Sequence, residues 1–148
     1  MKYQCSIEID RPRGPVVALF EDADRMGEWQ DGLISFTPKD GTPGAPGSTS
    51  EIKYQMGKRT LEMVETIEEY NLPDSLVAIY EAGKVWNRNV NRFTDLGSKT
   101  RWDMDCEFRC GGFVRIMAMV MPGMFRKQTN KMMSDFKAFA ERELPAPT

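Results

Sequence analysis

The sequence predicts an α+β fold in which a seven-stranded antiparallel sheet packs against one long C-terminal helix. Several short segments alternate apolar and polar residues with a period of two, and turn residues separate them at hairpin spacing. The segment 111–144 has helical periodicity instead, and it is the one stretch long enough for a major helix. Strands joined by hairpins form antiparallel sheets, which can bury one face against a helix.

Length and composition indicate a single domain, 1–148. A chain of 148 residues buries about two-thirds of its unfolded surface.

The net charge of -2 gives no electrostatic reason to expect nucleic acid or an anionic membrane as a partner. The apolar run 113–121 is too short to span a bilayer, so no stable membrane insertion is expected.

The cysteines suggest a compartment. Cys5, Cys106 and Cys110 are odd in number, and no disulfide framework or charged-then-apolar leader accompanies them. The reducing cytoplasm is therefore the expected location.

The first part of the chain contains one strand, two short helices and a second strand. Residues 2–10 alternate strictly, which predicts a strand with one buried face. Apolar residues at 16–20 predict a short helix, and Asp22 is placed to cap a second one. A short strand at 33–37 leads into the Pro- and Gly-rich loop 38–48.

Five further strands follow from Thr49 onward. Turn residues separate them at 57–58, 71–74, 83 and 97–98. The strands are expected at 49–56, 61–68, 76–81, 85–95 and 100–110.

The C-terminal helix should be interrupted at Pro122, which cannot donate a helical hydrogen bond. Lys137 falls on the side expected to face solvent. At about 100° per residue, seven side chains share an arc of roughly 120° that should cover the core: Phe125, Thr129, Met132, Met133, Phe136, Phe139 and Ala140.

The element order and four segments resemble the SRPBCC superfamily (START-like, Bet v 1-like, polyketide cyclase/dehydrase type). Similar proteins have a helix-grip fold, in which a curved seven-stranded sheet surrounds the long helix and leaves an apolar ligand cavity. The resemblance covers nearly the whole chain, but it lies in order and hydrophobic pattern, so it implies the fold more than an activity. The segments are IEIDRPRGPVVALFEDADRMGEW, GAPGSTS, YNLPDSLV and GGFVRIMAMVMPGMFRKQTNKMMSDFKAFAE.

Several kinds of chemistry are excluded. The chain has no histidine, so Ser-His-Asp, Cys-His and His-bearing zinc sites are impossible. The cysteine spacing matches no metal motif, and no cofactor or metal is expected. The segment GTPGAPG lacks the Lys-Ser/Thr of a phosphate loop; it is either a flexible connection or, as the resemblance implies, a gate near a cavity mouth.

Eleven methionines suggest either an ordinary core or an adaptable cavity wall. The resemblance favours the wall. The apolar residues predicted to line it are Met56, Met63, Trp102, Met104, Phe108, Met117, Met121 and Met132.

A polar patch is predicted inside this cavity. Glu65 shares the inward parity of its strand's apolar residues, and Asn87, Asn89 and Asn91 share that of Val85. These side chains would orient a ligand, or form a water-filled or mutually hydrogen-bonded ladder. The opposite register would instead bury two arginines, which costs more, although a bulge could produce it; it would turn inward Trp86, Arg88, Val90 and Arg92.

Three functions compete. The first is binding or transport of a hydrophobic small molecule, such as a lipid, polyketide or aromatic metabolite. The second is a cofactor-independent cyclase or dehydrase, with Glu65 as general base and Tyr54 or the asparagines polarising a carbonyl. The third is a protein-interaction module or homodimer that uses an outward Trp86 and Arg92.

Overall fold

The computed structural model describes residues 1–146 and confirms the α+β architecture. No helix in this range is long and apolar enough to cross a membrane. The elements are β1 (Lys2–Ile9), α1 (Arg13–Glu21), a 3-10 helix (Ala23–Glu28), β2 (Leu33–Asp40), β3 (Thr49–Met56), β4 (Arg59–Asn71), β5 (Ser75–Ala82), β6 (Val85–Asp95), β7 (Thr100–Cys110), α2 (Gly112–Val120) and α3 (Met124–Glu143).

The seven strands form one antiparallel sheet in the order β1-β7-β6-β5-β4-β3-β2. Neighbours from β2 to β7 are joined by hairpins, as the turn spacing predicted. The exception is β1, which pairs with β7, so α1 and the 3-10 helix carry the chain from one sheet edge to the other. The ladder between β4 and β5 is irregular between Ile67 and Glu69, and such bulges bend a sheet.

Local signals explain where the first elements begin. Pro12 precedes α1 and makes no side-chain cap, while the Asp22 carboxylate caps the 3-10 helix by accepting from the Asp24 amide at 3.2 Å. Gly32 has φ of 77°, and a Cβ there would lie 2.4 Å from the Gln55 carbonyl oxygen. Only glycine therefore lets β2 begin this close to β3.

The C-terminal helix is divided as predicted. α2 ends at Val120 and α3 begins at Met124, with Pro122 in the break. All seven residues of the predicted α3 face are at least partly buried, and Met133, Phe136, Phe139 and Ala140 are fully so.

Aromatic rings fix α3 on the sheet. Phe136 packs against Trp29 and Trp102 with ring centroids 4.9 and 5.5 Å apart. Near the start of α3, Phe125 stacks on Phe108, with ring centroids 4.5 Å apart. Both sheet partners lie on β7, so α3 rests on the β1–β7 side and leaves open space over β3, β4 and β5.

The expectation that Lys137 faces only solvent was wrong. Its Nζ donates to the Glu8 carbonyl at 2.6 Å and to Glu141 at 2.7 Å. The flank of α3 meets this backbone because the helix lies along the edge strand β1.

Phe136→Asp is expected to lower the free energy of unfolding by about 4 kcal/mol or more, because it buries a charge and removes a ring. Ser134→Asp, on the exposed side of the same helix, should change it by less than about 0.5 kcal/mol. Urea denaturation of the two variants measures both values. Similar losses in the two would contradict this packing of α3.

Candidate functional site

A cavity of about 1180 Å³ lies between the sheet and the C-terminal helices. Its walls come from the inner faces of β3 to β7, the 3-10 helix, the start of α2 and one side of α3. The predicted site residues that line it are Tyr54, Met56, Met63, Glu65, Asn87, Asn89, Asn91, Trp102, Met104, Phe108 and Met132.

Two predicted lining residues are not part of this wall. Met117 is partly buried but sits a turn beyond the cavity, and Met121 is 49 % exposed in the break before α3. α2 instead contributes Phe113 and Val114. Methionine richness did not indicate Phe113 and Val114, because only the first turn of α2 reaches the cavity and that turn contains no methionine.

Polar side chains form a row across the sheet at one level of the cavity. The strand register places Ser50 opposite Glu65, Glu65 opposite Tyr80, and Tyr80 opposite Asn87. All four line the cavity. The row crosses four strands, from β3 to β6. Neighbouring strands lie about 4.8 Å apart, so the row gives one wall a band of adjacent polar groups.

Glu65 is the acidic group of this row. Burial raises the pKa of its carboxyl, and hydrogen bonding by Tyr80 lowers it by a smaller amount. Glu65 is partly buried and lines the cavity. Its proton is therefore held to higher pH than that of a surface carboxyl.

The two tyrosines near Glu65 are held in their protonated form. Burial, followed by the charge of Glu65, raises the pKa of Tyr54 to about 12 and that of Tyr80 well above its ordinary value. The Tyr54 hydroxyl already donates to the Gln30 side chain. Tyr80 is therefore the better placed donor beside Glu65.

Sequence reasoning missed Tyr80. Its strand reads SLVAIYEA and is apolar on both faces, so alternation does not say which side chains point inward. The cross-strand partner of Glu65 was the signal that could have identified it.

The three asparagines line the cavity, but they are not equivalent. Asn91 accepts from Trp102 Nε1 at 3.0 Å and donates to the Leu76 carbonyl at 3.3 Å. Asn87 donates to the Glu107 carbonyl at 3.0 Å and to Asn89 Oδ1 at 2.9 Å. Asn87 and Asn91 thus stabilise the wall, whereas Asn89 keeps its amide donors toward the cavity.

Aromatic residues close the end of the cavity below α1. Phe20, Trp29 and Trp102 line it there. The indole N–H of Trp29 is buried and has no acceptor within residues 1–146. A buried donor of this kind costs about 1–3 kcal/mol, and this one lies at the cavity wall.

The loop 41–48 borders the cavity through Pro43 and Gly44. Since β2 continues to Asp40, the loop is shorter than predicted. It is tied to β4 by hydrogen bonds from the Gly47 amide to the Ile67 carbonyl at 2.7 Å and from the Ile67 amide to Ser48 at 3.0 Å. A gating role remains a prediction.

The outer-face residues considered for a partner surface have contacts within the chain. The Arg109 guanidinium lies 4.4 Å from the centre of the Trp86 ring. Arg92 pairs with Asp105 at 2.6 Å. Neither contact tests the predicted interface.

Cys5 and Cys106 offer no reactive thiolate. All three cysteines are free, and burial raises the pKa of Cys5 and, to about 11, that of Cys106. Over residues 1–146, no group of three His, Cys, Asp or Glu is placed to hold a metal ion.

Solved structures share this architecture. The Zhui aromatase/cyclase from Streptomyces sp. R1128 matches with a TM-score of 0.79 and 10% identity, over 99% of this chain and 96% of that one. Ara h 8.0201 matches with a TM-score of 0.74 and 8% identity, over 95% and 97%. A Thalictrum norcoclaurine synthase point mutant, in complex with a transition-state analogue, gives 0.70 and 10%, over 95% and 93%. At these identities the likeness shows the fold alone.

No curated protein matches the sequence significantly. The model of the family described as "Polyketide cyclase / dehydrase and lipid transport" matches residues 1–141. Because this match spans nearly the whole chain and the fold is the Bet v 1-like helix grip, the protein belongs to that family and thus to the SRPBCC superfamily.

Proposed function

We propose that the protein binds an apolar small molecule in the cavity, oriented by a hydroxyl or carbonyl placed against the Glu65–Tyr80 pair. The observation that carries this proposal is the polar row Ser50–Glu65–Tyr80–Asn87 on one wall of an otherwise largely apolar cavity. A ligand would bury its hydrocarbon body elsewhere and use its polar group there.

The size of the cavity supports a large ligand. Its volume of about 1180 Å³ exceeds that of most small-molecule pockets, which usually measure about 300–1,000 Å³. A lipid, a polyketide or a polycyclic aromatic molecule has these dimensions. The methionines in the wall can adapt to different apolar shapes.

The polar row can also recognise a ligand group. Protonated Tyr80 and the free amide of Asn89 are donors, and Glu65 accepts when ionised and donates when protonated. A ligand hydroxyl or carbonyl would replace the water that these groups would otherwise need. We place this binding in the cytoplasm, since the three cysteines of the chain are free thiols.

The binding proposal can be tested with 2-naphthol and naphthalene, which differ by one hydroxyl. We expect Glu65→Leu and Asn89→Leu to weaken 2-naphthol binding about tenfold, since each removes one hydrogen-bonding partner. Naphthalene binding should change little. Both dissociation constants can be measured by displacement of a fluorescent apolar dye.

Glu81→Leu is the matched control, because Glu81 is exposed and outside the cavity lining. If both probes weaken equally in Glu65→Leu and Asn89→Leu, the row is scaffold only. If the wild type binds neither probe, the cavity proposal fails.

A second candidate function is proton transfer on a bound carbonyl compound. The raised pKa of Glu65 suits a general acid or base, and Tyr80 on the neighbouring strand could donate to the carbonyl oxygen. The carboxylate would remove a proton from the adjacent carbon, and the Tyr80 hydroxyl would turn its hydrogen bond from Glu65 to the enolate oxygen. This is the first step of an aldol-type ring closure or of a dehydration.

Exchange of the α-protons of 2-tetralone in D₂O, followed by NMR, separates catalysis from binding. If the row catalyses, the protein should accelerate exchange, and Glu65→Gln should lose at least about a hundredfold of that acceleration. If the wild type binds 2-tetralone but does not accelerate its proton exchange, the catalytic proposal fails and only the binding function remains.

The buried carboxyl also predicts a pH effect on stability. The folded pKa of Glu65 is raised, so its ionisation disfavours the folded state as pH rises above the ordinary carboxyl value of 4.5. Glu65→Gln should therefore gain stability relative to the wild type with rising pH, and the two should converge below about pH 4. Urea unfolding from pH 4 to 8, with Glu81→Gln as the exposed control, measures this difference. A difference that does not vary with pH would contradict the burial of the carboxyl.

A further inference from the structure

The outer face of α2 is apolar and exposed. Phe113, Ile116, Met119 and Val120 are 73, 59, 76 and 72 % exposed. At about 100° per residue, these four side chains share an arc of roughly 120°. They form one continuous stripe, which we call the α2 outer stripe.

The opposite side of α2 is apolar as well. Val114, Met117 and Ala118 are partly buried toward the protein, and Val114 lines the cavity. A helix that is apolar all round is normally covered on both sides. Within residues 1–146, only the inner side of α2 is covered.

The segment around the stripe is positively charged. Between Glu107 and Asp135 the sequence contains no acidic residue and five basic ones, in a chain whose net charge is -2. Three of them, Arg115, Arg126 and Lys127, are exposed and form no ion pair within the described part of the chain, although Arg126 donates to the Gln4 carbonyl at 3.0 Å. The five basic residues are Arg109, Arg115, Arg126, Lys127 and Lys131.

We propose that the α2 outer stripe docks on the surface of an anionic lipid bilayer. Apolar side chains of a surface helix enter the boundary between headgroups and acyl chains, while flanking cations meet the lipid phosphates. Arg115 lies beside the stripe on the helix wheel, and Lys127 follows at the start of α3. The even charge balance of the whole chain hides this local excess.

The charge distribution argues for lipid over a second copy of the chain. A symmetric contact through the same stripe would bring the cations of the two copies together, and like charges across an interface are unfavourable. An anionic bilayer has the complementary charge and accepts an apolar stripe of any sequence.

Docking would place the α2 side of the cavity at the membrane. Phe113 belongs both to the stripe and to the cavity lining, so the cavity adjoins the docked face. This inference goes beyond the proposed ligand binding and does not depend on it, because bilayer binding is measurable with an empty cavity.

Co-sedimentation with vesicles tests the proposal. We expect the wild type to bind vesicles of phosphatidylcholine with 30 % phosphatidylglycerol, and to bind pure phosphatidylcholine at least about tenfold more weakly. Met119→Gln/Val120→Gln should lower binding to the anionic vesicles about tenfold by removing apolar area. Arg115→Glu should lower it by a similar factor, and added salt should weaken the wild type.

The β6–β7 hairpin supplies the controls. Leu96 is 45 % exposed and Lys99 is exposed, and both lie about 30 Å from α2 at the other end of these strands. Leu96→Gln and Lys99→Glu should bind like the wild type. Circular dichroism checks that every variant is folded.

Three outcomes would overturn the proposal: no wild-type binding to anionic vesicles, equal binding to neutral ones, or binding that is unchanged in the α2 variants. Light scattering without lipid tests the remaining alternative, which is a dimer formed through the stripe. A wild-type dimer that Met119→Gln/Val120→Gln converts to monomer would assign the stripe to a second copy instead. The 2-naphthol assay, done without lipid, shows independently whether the cavity binds a ligand.

Discussion

Two aromatic contacts between α3 and β7 set the position of the helix, and the cavity depends on them. Phe125 stacks on Phe108, and Phe136 packs against Trp102. The helical pair is eleven residues apart, or about 17 Å, and the strand pair is six residues apart, or about 20 Å, so helix and strand lie side by side in opposite directions. Each ring pair adds about 0.5–1.5 kcal/mol beyond its buried area. Since both anchors are on one strand, the inner faces of β3, β4 and β5 are left facing open space.

The polar residues of that space have two different tasks. Asn91 donates to the Leu76 carbonyl and accepts from Trp102, and thereby holds one of the two anchor rings in place. Glu65 and Tyr80 share a row with few other partners, and burial shifts the pKa of both. Removing one member of a buried pair leaves the other unsatisfied, at a cost of about 1–3 kcal/mol. The wall is therefore polar for structural reasons at Asn91, while at Glu65 and Tyr80 it has hydrogen-bonding capacity left for a ligand.

The sequence predicted the strands well because each pattern has one physical meaning. Strict alternation on β7 and hairpin turns of known length set which residues face inward, and they placed Glu65 and Asn89 at the cavity. Tyr80 was missed because β5 is apolar on both faces and alternation is silent there. Met117 and Met121 were misplaced because a proline break shows where a helix stops but not how much of the preceding helix reaches the cavity. Lys137 was misjudged because periodicity distinguishes the core side of a helix from the rest, but does not reveal a neighbouring strand edge.

The proline break separates two adjacent helices whose exposed sides differ in polarity. α3 buries one face and turns charged residues to water, whereas α2, which ends before Pro122, has apolar side chains on both sides. An apolar ligand that enters from water must lose its contacts with an aggregate or a membrane before it gains those of the cavity. In the proposed docking, α2 reduces this loss, because its outer side contacts the bilayer while Val114 on its inner side lines the cavity.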